Sequence, residues 1–379
     1  MRILIVGAGV AGLTLAGLLT RQGRTVVLID KRPDAADLGY AIALWPQGTR
    51  VLHALSAHDA FVRRSEPMRR YRLRDGSGQP IGSWDANELT ARFDPVGCIE
   101  RAALLGLLEQ ASGGVELRHG LSIERLAQAG DHVAVELSDG SRDRFDLVIG
   151  ADGMHSRVRE LLCGRVAERA TGWGCFVWWG DAGLTAPGET TESWGAGRFL
   201  GLYPCRDQVC VIAGAPIDVL QPERHDGRSD RLRSLLAPLG VPLDALLARA
   251  PRDSQAMTLW RMSDVRAPRW VHGRVALIGD AAAGFLPTAG IGASMALESA
   301  AVLADELSRS GAAHLQNALA LYVKRRFRRV LAAQDQSRWL ARLVFVRSPL
   351  LVSLRNRALR RVSLRRMVGP IYRQLSTPI

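Results

Sequence analysis

Short apolar runs and a glycine-rich turn alternate over the first thirty residues. Residues 3–6 form a continuous apolar run, residues 13–19 place apolar side chains at helical spacing, and residues 25–29 are mostly β-branched. Strands buried on both faces are continuously apolar, whereas crossover helices show a period of 3.6 residues. The pattern therefore predicts a strand, a tight turn, a helix and a second, parallel strand.

Similar helix and buried-strand patterns return later in the chain. Between about 166 and 268, however, the chain is rich in Trp, Gly and short alternating runs, which is typical of an antiparallel sheet. The pattern after Ala312 is helical. An α/β core with an inserted antiparallel sheet and C-terminal helices is expected. The elements predicted outside the insertion are helices at 101–111 and 292–309 and strands at 115–117, 133–137, 147–150 and 275–278.

Positive charge is concentrated at the C-terminal end. The formal net charge of the whole chain is +13, and residues 324–379 contain fifteen Lys and Arg against the single acid Asp335. The rest of the chain is therefore close to neutral. An excess of positive charge that is confined to one end of the chain argues against a nucleic-acid partner.

Cysteine spacing and hydropathy exclude further classes of protein. The five cysteines form neither a Cys-x-x-Cys pair nor a zinc-ligand spacing, so we expect reduced packing residues and no metal site. No apolar run approaches the roughly 18 residues of a membrane-spanning helix, and the N-terminus lacks a secretory cleavage pattern. We expect a cytoplasmic protein, with contact at a membrane surface left open.

The N-terminal turn carries a dinucleotide-binding fingerprint. Three glycines fit G-x-G-x-x-G between the predicted strand and helix, and an acid ends the second strand. The glycines let the backbone approach a pyrophosphate at the positive end of the helix, and the acid accepts hydrogen bonds from a ribose. The candidates for cofactor binding in this unit are Gly7, Gly9, Ala11, Gly12, Asp30, Lys31 and Arg32.

Two later segments decide which dinucleotide is bound. The first, residues 147–159, contains Ala151-Asp152-Gly153, and the second, residues 279–292, runs from Gly279-Asp280 through Pro287 to a Gly-Ile-Gly turn. With the fingerprint, they resemble the three signature segments of the group A flavoprotein monooxygenases, the family of para-hydroxybenzoate hydroxylase and the flavin-dependent urate hydroxylase. The resemblance covers most of residues 1–330 and implies bound FAD.

The resemblance assigns roles to individual cofactor-binding residues. Asp152 would organise the pyrophosphate region and the path of NAD(P)H, and Asp280 would hydrogen-bond the ribityl chain. Arg101 would contact the flavin side chain or the pyrophosphate. The Gly-Ile-Gly turn would bring backbone N–H groups against the flavin ring at a helix N-terminus. The candidates added in this way are Arg101, Asp152, Gly279, Asp280, Pro287, Gly290, Ile291 and Gly292.

The resemblance also indicates the walls of a substrate pocket. Residues 40–48 resemble the family segment that lies beside the isoalloxazine ring. The pocket candidates are Trp45, Trp178, Arg198 and Tyr203, although Trp45, Trp178, Trp179 and Trp194 fit equally well as core aromatics. No general base stands out: His53, His58 and Tyr203 are candidates, but a lone His is more often structural.

Two departures from the family pattern limit what the resemblance carries over. Ala281-Ala282-Ala283-Gly284-Phe285 stands where many members have a His shortly after Gly-Asp, and Gly290-Ile291-Gly292 stands where they have Gly-Gln-Gly. FAD binding should survive both changes, because the glycines and the aspartate remain. The proton handling and the substrate class that are usually associated with this loop do not carry over.

The resemblance finally implies domains and an activity. It implies a Rossmann-type FAD-binding domain at 1–68, 99–165 and 269–311, an antiparallel substrate-binding sheet at 69–98 and 166–268, and basic helices at 312–379. NADPH or NADH would reduce FAD, and O2 would then give a C4a-hydroperoxide that hydroxylates a small aromatic or polyketide-like substrate. A flavin reductase of the geranylgeranyl reductase type and a non-catalytic flavoprotein remain alternatives.

The basic C-terminal segment has two interpretations. Residues 338–379 alternate apolar clusters with arginines, which fits contact with an anionic membrane or an acidic carrier protein. The alternative, which we favour, is that these helices pack over the FAD-binding domain while their arginines reach solvent.

Overall fold

The computed structural model describes residues 1–33, 39–90, 93–220, 228–250, 259–375 and 377. The strands of these residues, in chain order, are β1 (Arg2–Val6), β2 (Thr25–Asp30), β3 (Ala41–Leu44), β4 (Glu66–Pro67), β5 (Arg70–Asp75), β6 (Pro80–Asp85), β7 (Gly97–Glu100), β8 (Glu116–His119), β9 (Ile123–Ala129), β10 (His132–Leu137), β11 (Arg142–Phe145), β12 (Leu147–Gly150), β13 (Arg169–Asp181), β14 (Glu189–Gly195), β15 (Arg198–Cys205), β16 (Gln208–Pro216), β17 (Leu259–Arg266), β18 (Val271–His272), β19 (Val275–Leu277) and β20 (Ala283–Gly284). The helices are α1 (Val10–Arg21), α2 (Pro46–Ala54), α3 (His58–Arg64), α4 (Asn87–Thr90), α5 (Arg101–Ala111), α6 (Arg157–Cys163), α7 (Ile217–Leu220), α8 (Arg228–Leu236), α9 (Leu243–Leu247), α10 (Gly292–Ser308), α11 (Leu315–Val344), α12 (Pro349–Leu359), α13 (Leu364–Met367) and α14 (Gly369–Leu375).

A six-stranded sheet with the order β18-β19-β12-β1-β2-β8 forms the first layer, which contains the predicted nucleotide-binding unit. Strand β1 pairs in parallel with β2 on one side and with β12 on the other. Its residues Ile3, Leu4 and Ile5 are completely buried, because α1, α5 and α10 pack together around this part of the sheet. The predicted helix at 101–111 and the predicted strand at 147–150 are confirmed.

An eight-stranded sheet with the order β20-β17-β13-β16-β15-β14-β5-β6 forms the second layer. All its pairings are antiparallel except that between β14 and β5. Strands β5, β6 and β13 to β17 lie within the ranges predicted for the substrate-binding sheet, and β20 joins its edge from the range 269–311. The exact domain boundaries remain a prediction.

The two faces of the eight-stranded sheet have different surroundings. On the outer face, Phe176, Trp178, Leu200 and Leu202 form a separate apolar core with helices α8 and α9. Side chains at the alternate positions of the same strands point to the inner face, toward the nucleotide-binding core. Cys175 and Phe199, for example, belong to the main core of the molecule.

Helix α11 is fastened to α10 by buried ion pairs. Arg326 and Glu298 are both completely buried and form a hydrogen-bonded ion pair. Arg329 adds hydrogen bonds of 2.9 and 2.7 Å to the two oxygens of Glu298. Buried charges persist only when they are paired, so this network fixes the position of α11 on the FAD-binding side of the molecule.

Other cations of the C-terminal segment also contact distant parts of the chain. Arg338 donates hydrogen bonds of 2.7 and 2.5 Å to Asp264, and Arg355 donates one of 2.6 Å to the carbonyl oxygen of Trp194. These contacts favour the interpretation in which the C-terminal helices pack over the rest of the fold. The cations of the segment that are not exposed are Arg325, Arg326, Arg329, Arg338 and Arg355.

All five cysteines are free thiols, and Cys163 is the only one that is not buried. In the parts of the chain that the structure describes, no helix has the length and apolar character needed to cross a membrane.

Candidate active site

The N-terminal glycines differ in what surrounds them. A Cβ at Gly12 would lie 1.8 Å from the carbonyl oxygen of Gly7, and a Cβ at Gly7, where φ is +109°, would lie 2.5 Å from the carbonyl oxygen of Ala151. A Cβ at Gly9 would meet nothing within 4 Å. Gly7 and Gly12 are therefore required for packing, whereas Gly9 leaves open space at the N-terminus of α1, where a phosphate group is favoured.

The acid at the end of β2 holds the glycine turn. One oxygen of Asp30 accepts a hydrogen bond of 2.7 Å from the backbone N–H of Ala8, and the other accepts bonds from the backbone and side chain of Arg32. These donors hold the pKa of Asp30 below its usual range, although burial opposes them. Lys31 is exposed beside this pair.

Asp152 organises the loop that follows β12. It accepts hydrogen bonds from the Ser156 hydroxyl and from the backbone N–H groups of Arg157 and Val158 at the start of α6. Burial nevertheless raises its pKa. Because a Cβ at Gly7 would lie 2.8 Å from the Cα of Asp152, this loop packs directly on the glycine turn.

Arg159 joins the second signature segment to the third. Its buried guanidinium donates to the carbonyl oxygens of Met154 and Ala281. Beside it, Asp280 is partly buried, and this burial raises its pKa to about 6 although Arg159 acts in the opposite direction. Among the described residues, no side chain or backbone N–H donates a hydrogen bond to the Asp280 carboxylate. A partly exposed carboxylate of this kind suits a hydroxyl donor such as a ribityl chain.

The Gly-Ile-Gly turn begins helix α10. Gly290 has a φ of +58°, which favours glycine, and Ile291 is buried, so the turn exposes backbone rather than side chains. The hydroxyl of Thr288, in the 3-10 turn Pro287–Ala289, donates a bond of 2.6 Å to the carbonyl oxygen of Ser337 in α11. The turn is therefore supported by the C-terminal helix.

Residues 39–45 lie between this turn and the inner face of the eight-stranded sheet. A Cβ at Gly290 would lie 3.5 Å from the Cβ of Ala43, and the indole N–H of Trp45 donates to the carbonyl oxygen of Ala289 at 3.3 Å. At the other end, the backbone N–H of Ala41 contacts the Cys210 thiol of β16 at 3.4 Å. The segment therefore connects the two layers.

Arg101 is held against the same segment. Its backbone N–H donates a hydrogen bond of 2.9 Å to the carbonyl oxygen of Tyr40, and its guanidinium lies 5.6 Å from the centre of the Tyr40 ring. Tyr40 in turn contacts Trp260 of β17, edge to face, at 5.4 Å.

A cluster of polar side chains occupies the inner face of the sheet. Glu192 of β14 accepts hydrogen bonds from Tyr71, Trp194 and Tyr203, which belong to β5, β14 and β15. Trp179 of β13 lies on the same side, because a Cβ at Gly39 would lie 2.6 Å from its indole nitrogen. An acidic, aromatic surface therefore lies opposite the cofactor-binding elements.

The chain is similar to known flavoproteins in both sequence and fold. The family model described as "FAD binding domain" matches residues 1–337. The chain belongs to this FAD-binding family. The structure of Klebsiella pneumoniae HpxO complexed with FAD and uric acid superimposes with a TM-score of 0.90 at 25% identity, over 99% of this chain and 96% of that one.

Two related proteins of known activity align with most of this flavoprotein. "Aurachin C monooxygenase/isomerase" of Stigmatella aurantiaca is 30% identical over 85% of this chain and 84% of its own. "2-Heptyl-3-hydroxy-4(1H)-quinolone synthase" of Pseudomonas aeruginosa is 29% identical over 96% of this chain and 94% of its own. The expected membership of the group A flavin monooxygenases and the expected fold, with FAD as its cofactor, are confirmed.

Two of the four pocket candidates lie on the wrong face of the sheet. Trp178 is buried in the outer core, where its indole N–H donates to the carbonyl oxygen of Leu246 at 3.1 Å. Arg198 also points outward and contacts the carbonyl oxygen of Leu235. The expectation that they share a pocket with Tyr203 is wrong, because side chains alternate between faces along a strand and the sequence did not show which face was inner.

The other candidates for the substrate pocket and for a general base lie in different parts of the structure. Tyr203 is on the inner face, whereas Trp45 is buried and supports the Gly-Ile-Gly turn. His53 and His58 stack on each other at 3.7 Å and both contact Asp94, so they form a cluster of their own on α2 and α3.

Sequence reasoning missed Arg159 and Glu192. Arg159 stands inside the second signature segment, but nothing in that segment shows that its partner is the carbonyl oxygen of Ala281. Glu192 lies in a strand whose alternation suggests only an exposed charge. Its three donors come from strands up to 121 residues away along the chain, which a local pattern does not reveal.

Proposed function

We propose that this flavoprotein is a monooxygenase that uses NADPH or NADH and O2 to hydroxylate a small aromatic substrate. The observation that carries the proposal is the pairing of two surfaces. The N-terminus of α10, with its Gly-Ile-Gly turn, lies across residues 39–45 from the inner face that carries Glu192, Trp179 and Tyr203. A flat aromatic substrate fits between a flavin ring and such a face.

The residues present fit FAD. The open side of Gly9 at the N-terminus of α1 would receive the pyrophosphate, Asp30 the ribose and Asp280 the ribityl chain. Backbone N–H groups at the start of α10 would face the flavin ring. When bound, FAD supplies hydride acceptance from NAD(P)H and activation of O2.

The protein's own contribution is positioning, exclusion of water and charge stabilisation. The start of α10 places the positive end of a 17-residue helix at the site, which favours negative charge there. Thr288 and the network around Glu298 hold this helix end in place from α11. Tyr203 and Glu192 together offer a hydroxyl and a carboxylate that orient a polar substituent of the substrate.

The named compounds of the relatives support an aromatic, nitrogen-containing substrate. The synthase of Pseudomonas aeruginosa is named for a hydroxylated 4(1H)-quinolone, and HpxO was crystallised with uric acid. Both are flat heterocycles that carry ring N–H groups. We therefore propose that the substrate of this chain is also a flat heterocycle with a ring N–H group.

Oxygen incorporation tests the proposal. The FAD-loaded protein is incubated with NADPH or NADH and 18O2 in the presence of 4(1H)-quinolones with and without a 2-alkyl chain. The proposal expects nicotinamide oxidation that the substrate stimulates, with one 18O atom in the product by mass spectrometry. A reduced product without 18O supports the reductase alternative, and a flavin that neither nicotinamide reduces supports a non-catalytic role.

We also propose that α12 rests on an anionic membrane surface. Leu350, Leu351 and Leu354 of this helix are exposed by 71, 55 and 55%. Arg357 and Arg360 are exposed close to them, and a combination of apolar and basic side chains suits the boundary of anionic lipids. This contact leaves the buried side of α12, which includes Arg355, packed on the protein.

Vesicle sedimentation tests this contact. The triple variant Leu350→Ser/Leu351→Ser/Leu354→Ser should lose binding to vesicles that contain phosphatidylserine, while its thermal unfolding stays unchanged. It is a better probe than a truncation after residue 337, which would also remove Arg338 and its ion pair with Asp264. Wild-type protein that stays in the supernatant contradicts the proposal.

A further inference from the structure

Glu192 gathers three hydrogen-bond donors on the inner face of the sheet. Its Oε1 accepts a bond of 2.8 Å from the Tyr203 hydroxyl. Its Oε2 accepts bonds of 2.8 Å from the Tyr71 hydroxyl and 2.7 Å from the Trp194 indole N–H. The carboxylate is thus fixed by side chains of three different strands.

The backbone opposite Glu192 is shaped to allow this arrangement. Gly201 of β15 is the direct cross-strand partner of Glu192. A Cβ at Gly201 would lie 2.4 Å from the Tyr203 ring and 2.7 Å from its hydroxyl oxygen. The absence of a side chain at Gly201 therefore lets the Tyr203 ring lie over the strand and reach Glu192.

The Glu192 carboxylate is held by neutral donors. In the parts of the chain that the structure describes, no Lys, Arg or His forms an ion pair with its carboxylate. Burial raises its pKa, and the three donors act in the opposite direction. Burial also raises the pKa of Tyr71 and Tyr203 well above the usual value, so both stay protonated as donors.

The carboxylate can still accept one more hydrogen bond. A carboxylate offers about four acceptor positions, and the protein fills three of them. Glu192 and Tyr203 are both partly exposed, so a ligand can reach this pair of side chains. The free position is on Oε1, beside the Tyr203 hydroxyl.

We propose that Glu192 is a specificity-determining residue that selects aromatic substrates with an N–H or O–H donor and rejects substrates with a carboxylate. The inference rests on the monooxygenase function proposed above and names its substrate class. A donor group of the substrate completes the acceptor set of Glu192. A carboxylate at the same place would face a like charge, and among the described residues no cation pairs with Glu192 to offset it, which opposes binding.

Equilibrium binding to the FAD-loaded protein tests this inference without turnover. The probes are 4(1H)-quinolone and 4(1H)-quinolone-2-carboxylate, which share the ring and differ in the charged group. Their dissociation constants are read from the change in flavin absorbance. We expect the wild type to bind the neutral probe roughly tenfold more tightly or better. In Glu192→Gln, which keeps the shape but removes the charge, this ratio should fall to within about threefold.

A matched control lies on the same strand. Glu189 of β14 points to the other face and pairs with Arg72 at 2.8 Å, so Glu189→Gln should leave the ratio unchanged. Tyr203→Phe keeps the charge of Glu192 and should also preserve the preference for the neutral probe. If Glu192→Gln does not fold, Glu192→Ala removes the same charge and should lower the ratio in the same way, whereas loss of the ratio in Tyr203→Phe would assign the preference to the hydroxyl instead of the charge.

Four results overturn the inference. The first two are equal or tighter binding of the carboxylate by the wild type and an unchanged ratio in Glu192→Gln. The other two are a lost ratio in Tyr203→Phe and failure of the wild type to bind either probe. The monooxygenase proposal is judged separately, from the incorporation of one 18O atom into the product, which does not depend on the ratio of the two dissociation constants.

Discussion

Two regions of the molecule recognise their ligands by different means. One is the cofactor cradle, which consists of the glycine turn at 7–12, Asp280 and the Gly-Ile-Gly turn at 290–292. The other is the inner face of the eight-stranded sheet. The cradle offers backbone N–H groups at the starts of α1 and α10 and open space at Gly9, all within short contiguous motifs. The sheet face offers side chains, such as Glu192 and Tyr203, which meet only because β5, β14 and β15 are neighbours. Cofactor binding is therefore a local property of the chain, whereas substrate recognition depends on the whole fold and can vary independently.

The largest effect should come from breaking the buried ion pair that joins α10 to α11. Glu298→Gln leaves the buried guanidinium of Arg326 without its counter-ion, and such a change typically costs about 3–5 kcal/mol in the free energy of unfolding. If FAD binding depends only on the contiguous motifs of the cradle, the FAD affinity of the folded fraction of this variant should stay within about threefold of the wild-type affinity. Urea unfolding and flavin fluorescence titration measure the two quantities.

The control for this variant is an exposed ion pair. Glu160 pairs with Arg157 at 2.9 Å on the surface of α6, so Glu160→Gln should change the free energy of unfolding by at most about 1 kcal/mol. A large loss of FAD affinity in folded Glu298→Gln would show that the cradle depends on distant contacts, contrary to the comparison.

Two glycines of the same motif should respond differently to a methyl group. In Gly12→Ala the new Cβ would overlap the carbonyl oxygen of Gly7, so the apoprotein should lose about 3 kcal/mol in the free energy of unfolding. In Gly9→Ala the Cβ meets no protein atom, so the apoprotein should lose about 1 kcal/mol or less while FAD binding weakens at least tenfold. Equal destabilisation of the two apoproteins would be inconsistent with this division of roles.

Asp280 should give the apoprotein a characteristic pH dependence. Its pKa is raised by burial from 3.8 to about 6, so the folded state holds an extra proton between these values. The contribution of Asp280 to the free energy of unfolding is therefore fully present below about pH 4 and is lost as the pH rises to about 6, by at most about 1.4 kcal/mol per pH unit. This contribution should be missing in Asp280→Asn. Parallel urea titrations from pH 4 to 7 test it, and identical pH profiles would mean that Asp280 is not the responsible group.

The parts of the fold that follow from local rules were predictable from the sequence. Helix α5 and strand β12 have the predicted bounds, because their apolar periods and neighbouring turns are encoded within a few residues. The glycine fingerprint is likewise contiguous, and the structure gives each of its glycines a distinct environment.

The parts that depend on the choice of face were not predictable. Alternation along β13 and β15 shows that neighbouring residues point to opposite sides, but both sides of this sheet are apolar. Trp178 and Arg198 were therefore assigned to the pocket in error. The partners of Arg326 were equally hidden, because Glu298 lies 28 residues earlier in a helix with its own pattern.

The smallest predicted effect separates two adjacent tryptophans on opposite faces. Trp178→Phe removes one buried N–H donor to the Leu246 carbonyl oxygen and should cost about 1 kcal/mol in stability with unchanged kcat and KM. Trp179→Phe changes the inner face next to residues 39–45 and should raise KM about threefold with little change in stability. Steady-state assays beside thermal unfolding distinguish the two. The opposite pattern, with KM altered by Trp178→Phe alone, would place the substrate on the outer face and would reverse the comparison.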